Sequence, residues 1–176
     1  LRDLKPDNVG FDANGTPKIF DLGFAREVHT INPKEVAGSL RYMAPEVAMG
    51  SGSQLASDVY SFGILLWELC TLEKPYKHIN TREDFMEEVI HGGWRPSTSS
   101  IPSPALRRLI KECWSHNPSD RPTFVNIVKM LRVELRVNGS KFSSGNNKDG
   151  LTKPPPMRRT NTWTAKKVSN APFSLL

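Results

Sequence analysis

Residues 1–23 read LRDLKPDNVGFDANGTPKIFDLG, and this stretch decides how the rest of the chain is read. Its centre, Asn8 to Phe20, predicts a β-hairpin. Val9, Phe11 and Ile19 supply short apolar alternations on either side of Asp12-Ala13-Asn14-Gly15, whose last residue can take positive φ in a tight turn. The polar residues that precede and follow the hairpin then leave from one end of two adjacent strands. Asp3, Lys5 and Asn8 come in on one side and Asp21 goes out on the other. Two carboxylates, an amide and an ammonium gathered there are suited to a metal-bound polyanion.

Working outward, the charge divides unevenly. The chain has 176 residues with 24 Lys+Arg and 18 Asp+Glu, and of these 17 and 17 fall within residues 1–137. The remaining 7 basic residues and the single Asp149 lie in 138–176, so the whole net charge of +6 belongs to the tail. The basic balance therefore gives no reason to expect a nucleic-acid-binding fold. Cys70 and Cys113 are far apart and lack metal-ligand spacing, which points away from a disulfide framework or a zinc site and towards a reducing, cytoplasmic setting. The longest apolar run, Val59 to Cys70, is interrupted by Ser61, Gly63 and Glu68, so no membrane span is expected. The chain opens at Leu1 without an initiator Met or a signal core, and we read it as a fragment with further sequence upstream.

Five motifs occur in order. Leu1-Arg2-Asp3-Leu4-Lys5-Pro6-Asp7-Asn8 is followed by Asp21-Leu22-Gly23, by Ala44-Pro45-Glu46, by Ser57-Asp58-Val59-Tyr60-Ser61-Phe62-Gly63 and by Asp120-Arg121-Pro122-Thr123-Phe124. On these residues the chain resembles the C-terminal lobe of a eukaryotic protein kinase over about residues 1–137. Two letters depart from the family pattern: Leu1 stands where His is usual, and Leu22 where Phe is usual. A Leu pair keeps an apolar contact but loses ring packing.

The resemblance implies a mainly α fold, a helical C-lobe with a small β-hairpin beside the catalytic loop and with the N-lobe missing. Residues 1–137 would be the partial kinase domain and 138–176 a disordered basic tail. It implies ATP and Mg²⁺ as cofactors and protein substrates bearing Ser or Thr, with an upstream kinase as a possible further partner. Asp3 would orient or accept the proton of the substrate hydroxyl, Lys5 would contact the γ-phosphate, and Asn8 and Asp21 would hold Mg²⁺. Lys5, two residues after Asp3, is the Ser/Thr form of this loop, and Ser39 lies where a hydroxyl commonly bridges the catalytic Asp and Lys. Asp58 would accept catalytic-loop amides, and Glu46 and Arg121 would form a buried ion pair. Arg2 usually meets a phosphate on the activation segment, which here runs 26 residues from Asp21 to Glu46. Counting back from Gly38-Ser39 places Glu35 where that phosphate would sit, so a fixed carboxylate takes its place, with Thr30 as the alternative phosphosite. Cys113-Trp114 with Asn117-Pro118 resembles the tyrosine-kinase-like branch, of mixed-lineage or Raf-like type. The alternative function is a pseudokinase or scaffold that uses the same lobe for docking. These residues alone are expected not to catalyse.

Downstream, apolar spacing predicts helices over Ser57–Leu72, Arg82–His91, Ser103–Trp114 and from Pro122 onward, with Trp67, Trp94 and Trp114 as packing residues. From Asn138 periodicity stops and Gly, Ser, Asn, Lys and Pro dominate. Arg158-Arg159 before Thr160 and Thr162 resembles a basophilic phosphosite.

Overall fold

The computed structural model describes residues 1–32 and 34–142. The tail motif at Arg158 to Thr162 lies outside the described residues. Strands β1 (Val9–Phe11) and β2 (Pro17–Ile19) pair antiparallel with Val9 opposite Ile19 and Phe11 opposite Pro17. The turn closes as its sequence predicts: Asp12 Oδ1 accepts the amides of Asn14 and Thr16, and Gly15 takes φ 77°. Among the described residues all other regular structure is helical: α1 (Pro45–Ala48), α2 (Leu55–Thr71), α3 (Arg82–Phe85, continuing in wider turns over Met86–His91), α4 (Pro104–Cys113) and α5 (Phe124–Phe142).

Helix α2 is the organising element. Val59, Tyr60, Ser61, Gly63, Ile64, Leu65 and Trp67 are all buried, which leaves little of the helix for solvent and explains its nearly continuous apolar sequence. Its main core holds Tyr60, Ile64, Tyr76, Phe85, Ile90, Ile101 and Ile110, and a smaller cluster of Val59, Leu109, Cys113 and Ile127 joins α2 to α4 and α5. Gly63 makes the α2–α4 approach possible, since a Cβ there would lie 2.7 Å from Cys113 Cβ. Trp67 and Trp114 are buried as expected, whereas Trp94 is half exposed and packs at the surface on Tyr76 and His78.

Helix ends follow side-chain caps rather than the apolar pattern. Helix α2 begins two residues before Ser57, whose hydroxyl accepts the Gln54 amide. Thr81, Ser103 and Thr123 accept the amides of Asp84, Leu106 and Asn126, so α5 starts at Phe124 and not at Pro122. Helix α5 then continues to Phe142, past the boundary drawn at residue 137. Among the described residues no helix is long and apolar enough to cross a membrane.

Candidate active site

The loop before β1 is built by contacts that reach far along the chain. Arg2 takes a left-handed backbone conformation, φ 76°, and its amide donates to Asp58 Oδ1 at 2.7 Å while the Leu1 nitrogen donates to Asp58 Oδ2 at 2.6 Å. Asp58, in the first turn of α2, thus anchors the loop to the core helix. A residue held in an unfavourable backbone region needs such over-determination. Gly38 closes the same corner from the other side. It has φ 110°, and a Cβ there would fall 2.3 Å from the Arg2 carbonyl oxygen, so no side chain fits.

Asp3 is buried, and its carboxylate is held by three donors. The Ser39 amide donates to Oδ1 at 2.8 Å, Asn8 Nδ2 donates to Oδ2 at 3.0 Å, and Lys5 Nζ lies 3.2 Å from Oδ2. Lys5 Nζ also donates to Ser39 Oγ at 2.7 Å, so one ammonium joins the loop carboxylate to the hydroxyl of the later segment. Asn8 Nδ2 donates in addition to the Asp3 carbonyl at 2.8 Å. With its amide nitrogen committed to Asp3, Asn8 is left with Oδ1 as an acceptor. Asp21 sits just past β2, tied to this loop through Phe20, whose amide donates to the Asn8 carbonyl at 2.8 Å. Asp21 has φ 54° and accepts the Gly23 amide on Oδ1, leaving Oδ2 available. Asp7, Asn8, Phe11, Phe20 and Asp21 line one cavity of about 580 Å³. Leu22, expected against Leu1, is largely exposed.

Two ion pairs fix the segment between Asp21 and Glu46. Arg2, with a buried guanidinium, donates from Nη1 to Glu35 Oε2 at 3.0 Å, from Nη2 to the Glu35 carbonyl at 3.1 Å and from Nε to Ser53 Oγ at 3.4 Å. Thr30 is exposed, bonds the Glu27 carbonyl, and is not among the partners of Arg2. Arg121 and Glu46 pair through two parallel bonds of 2.7 and 2.8 Å. The other Arg121 donors meet the carbonyls of Ser115, Ala56 and His116, and Ser57 Oγ donates to Glu46 Oε1. Burial pushes the Glu46 carboxyl up, but the two Arg121 bonds and its charge outweigh this and hold it below its ordinary value. Sequence reasoning missed buried Arg41, which donates from Nη1 to the carbonyls of Pro75 and Tyr76 and so ties the segment to the loop after α2. Nothing in its local sequence separates it from a surface Arg.

Among the described residues no three His, Cys, Asp or Glu side chains gather to hold a metal by themselves. Asn8 Oδ1 and Asp21 Oδ2 are nonetheless hard oxygen donors on one cavity. They fit Mg²⁺, which commonly takes one or two protein ligands and fills its shell with water and substrate phosphates.

The family model described as protein tyrosine and serine/threonine kinase matches residues 1–131. Dual specificity protein kinase shkD of Dictyostelium discoideum is 41% identical over 145 residues, covering 81% of this chain and 20% of that protein. Human mitogen-activated protein kinase kinase kinase 7 is 41% identical over 139 residues, covering 77% and 22%. Serine/threonine-protein kinase CTR1 of Arabidopsis thaliana is 38% identical over 140 residues, covering 77% and 17%. The chain thus spans about a fifth of the length of these curated relatives.

Proposed function

The chain belongs to the protein tyrosine and serine/threonine kinase family, and from that premise we propose that the whole protein transfers the γ-phosphate of ATP, with Mg²⁺, to Ser and Thr hydroxyls of protein substrates. The observation that carries this reading is the Lys5 ammonium between Asp3 Oδ2 and Ser39 Oγ. It sets a fixed positive charge beside Asp3, a carboxylate able to accept a hydroxyl proton, and it uses a segment hydroxyl to do so.

Phosphoryl transfer asks the protein for positioning and charge compensation more than for covalent help. Asp3 takes the proton of the incoming hydroxyl. Its orientation is set by Ser39 N–H and Asn8 Nδ2 before substrate arrives, so no reorganisation is needed at the reacting atom. Lys5 offsets charge on the transferred group as a compact cation. Asn8 and Asp21 would hold Mg²⁺, which neutralises the phosphate oxygens when bound. Glu35 serves as a fixed counter-charge for Arg2, ordering the segment with one negative charge where a phosphate would bring nearly two. Arg2 adjoins Asp3, so the pair positions the reacting carboxylate without touching substrate.

The test is phosphotransfer from labelled ATP by the full-length protein to peptides with Ser, Thr or Tyr as the only acceptor. Label is expected on the Ser and Thr peptides, with a loss of about 100-fold or more in Asp21→Asn, in line with removal of one electrostatic partner of a transition state. An Asp21→Asn variant as active as its parent overturns the assignment. Label confined to Tyr overturns the acceptor. An inactive parent that still captures partner proteins turns the reading to a scaffold.

A further inference from the structure

Outside the site, a cavity of about 550 Å³ lies between residues 95–99 and helix α4. Its polar lining is one-sided: Arg95, Arg107 and Lys111 contribute cations, Ser97, Thr98 and Ser99 contribute hydroxyls, and no Asp or Glu lines it. Ion pairs form next to it, as between Arg108 and Glu112, but none of the three cations has a carboxylate partner among the described residues. Three like charges around one cavity repel each other, and an anion between them removes that cost.

The donors are also held in place. Arg107 Nη1 donates to the Ile101 carbonyl at 2.7 Å. Arg95 donates to the carbonyls of Trp114, Val89 and Trp94, and its guanidinium lies 4.9 Å over the Tyr60 ring. Trp67 Nε1 donates to the Ser97 carbonyl at 2.8 Å, and the Ser97 and Ser99 hydroxyls are 2.9 Å apart, which fixes the turn between them. Carbonyls orient both arginines without neutralising them. Arg107, bonded through Nη1 alone, keeps its Nε–Nη2 edge as the fork that suits phosphate oxygens, while Arg95, with Nε and Nη1 committed, contributes its charge. Pro96 and Trp114 give the cavity apolar walls, and its volume exceeds that of a single phosphate group.

We propose that this cavity binds a phosphate monoester, with Arg107 and Lys111 meeting the oxygens and the apolar wall meeting the esterified group. The site is separate from the cavity at Asn8 and Asp21 and its occupation does not depend on phosphotransfer there.

Isothermal titration of the full-length protein with a capped phosphoserine tripeptide and with phenyl phosphate tests it. Saturable binding of a phosphate ester is expected. Lys111→Gln and Arg107→Gln should each weaken it about tenfold, the worth of one charge-assisted hydrogen bond. Lys74→Gln, outside the cavity, should leave it unchanged, and the unphosphorylated tripeptide should not bind. A preference for the tripeptide over phenyl phosphate identifies a protein segment as the source of the ester, and equal binding identifies the ester group alone. The Lys111 side chain is exposed and bonds no other described residue, its carbonyl alone accepting the Ser115 hydroxyl, so its variant keeps the fold even where Arg107→Gln loses it. No saturable binding by the parent, or parental affinity in Lys111→Gln, overturns the proposal.

Discussion

Replacing Glu46 by Gln removes one charge from the pair that holds the 21–46 segment to the last helices, and the structure sets the cost. The five N–H groups of Arg121 are all placed, two on Glu46 and three on main-chain carbonyls, and its side chain is 0% exposed. An amide at position 46 offers one oxygen and turns an NH₂ towards the second Arg121 nitrogen, so one buried donor loses its acceptor and the guanidinium loses its counter-charge. Breaking one side of a buried pair costs about 3–5 kcal/mol. Against a total stability of about 5–15 kcal/mol this is large, and it corresponds to a fall in Tm on the order of 10 °C. Unfolding followed by circular dichroism reads it directly. A pH arm isolates the charge. Because the folded-state pKa of Glu46 is depressed, its contribution is present above its ordinary 4.5 and is lost as pH falls below that towards the folded value. The parent should therefore lose stability on acidification below about pH 4.5 more steeply than Glu46→Gln. Lys77→Gln, which breaks the exposed Glu73 pair, should leave the transition in place. A Glu46→Gln protein within about 1 kcal/mol of its parent would refute the reasoning, since a buried pair is expected to cost several times that.

Three further outcomes follow from the same geometry. Glu35→Ala in the full-length protein should slow peptide phosphorylation about five- to tenfold, a modest factor because Glu35 is 39% exposed and water screens its charge; a parental rate would refute its role. Ser39→Ala should cost about tenfold on Ser and Thr peptides through loss of the Lys5 bond, while Ser39→Thr should recover most of the rate; equal rates in both variants would show that the hydroxyl is idle. Burial pushes the Cys113 thiol up to about 12, and it raises the thiol of half-buried Cys70 as well. At pH 8 a thiol reagent should label Cys70 first and Cys113 only as the protein unfolds, and equal labelling rates would contradict the packing of α2 on α4.

Much of the site was legible because its residues announce themselves locally. The hairpin follows from the turn residues Asp12 to Gly15, although its register does not, because Thr16 joins the loop and sets Phe11 opposite Pro17, and the spacing of the preceding loop places Lys5 near Asp3. The resemblance gave Arg2 with Glu35 and Glu46 with Arg121, partners that no local pattern pairs across 33 and 75 positions. What stayed hidden depends on tertiary context. Arg41 is buried because carbonyls of a loop 34 positions on await it. The change of winding at Met86 is equally silent, since Phe85, Val89 and Ile90 fit an ordinary helix. It appears only where the Gly92 and Trp94 amides reach back to the Glu87 and Glu88 carbonyls. Helix α5 runs on to Phe142, beyond the apolar pattern that predicted it.

The guanidinium of Arg121 has a kinetic consequence. Its partners lie at residues 46, 56, 115 and 116, so the knot forms only after a loop of 75 positions has closed. Contacts of that separation belong late on a folding route. Loosening the knot should therefore leave the refolding rate nearly untouched and quicken unfolding, so the lobe's lifetime, more than its birth, depends on one arginine.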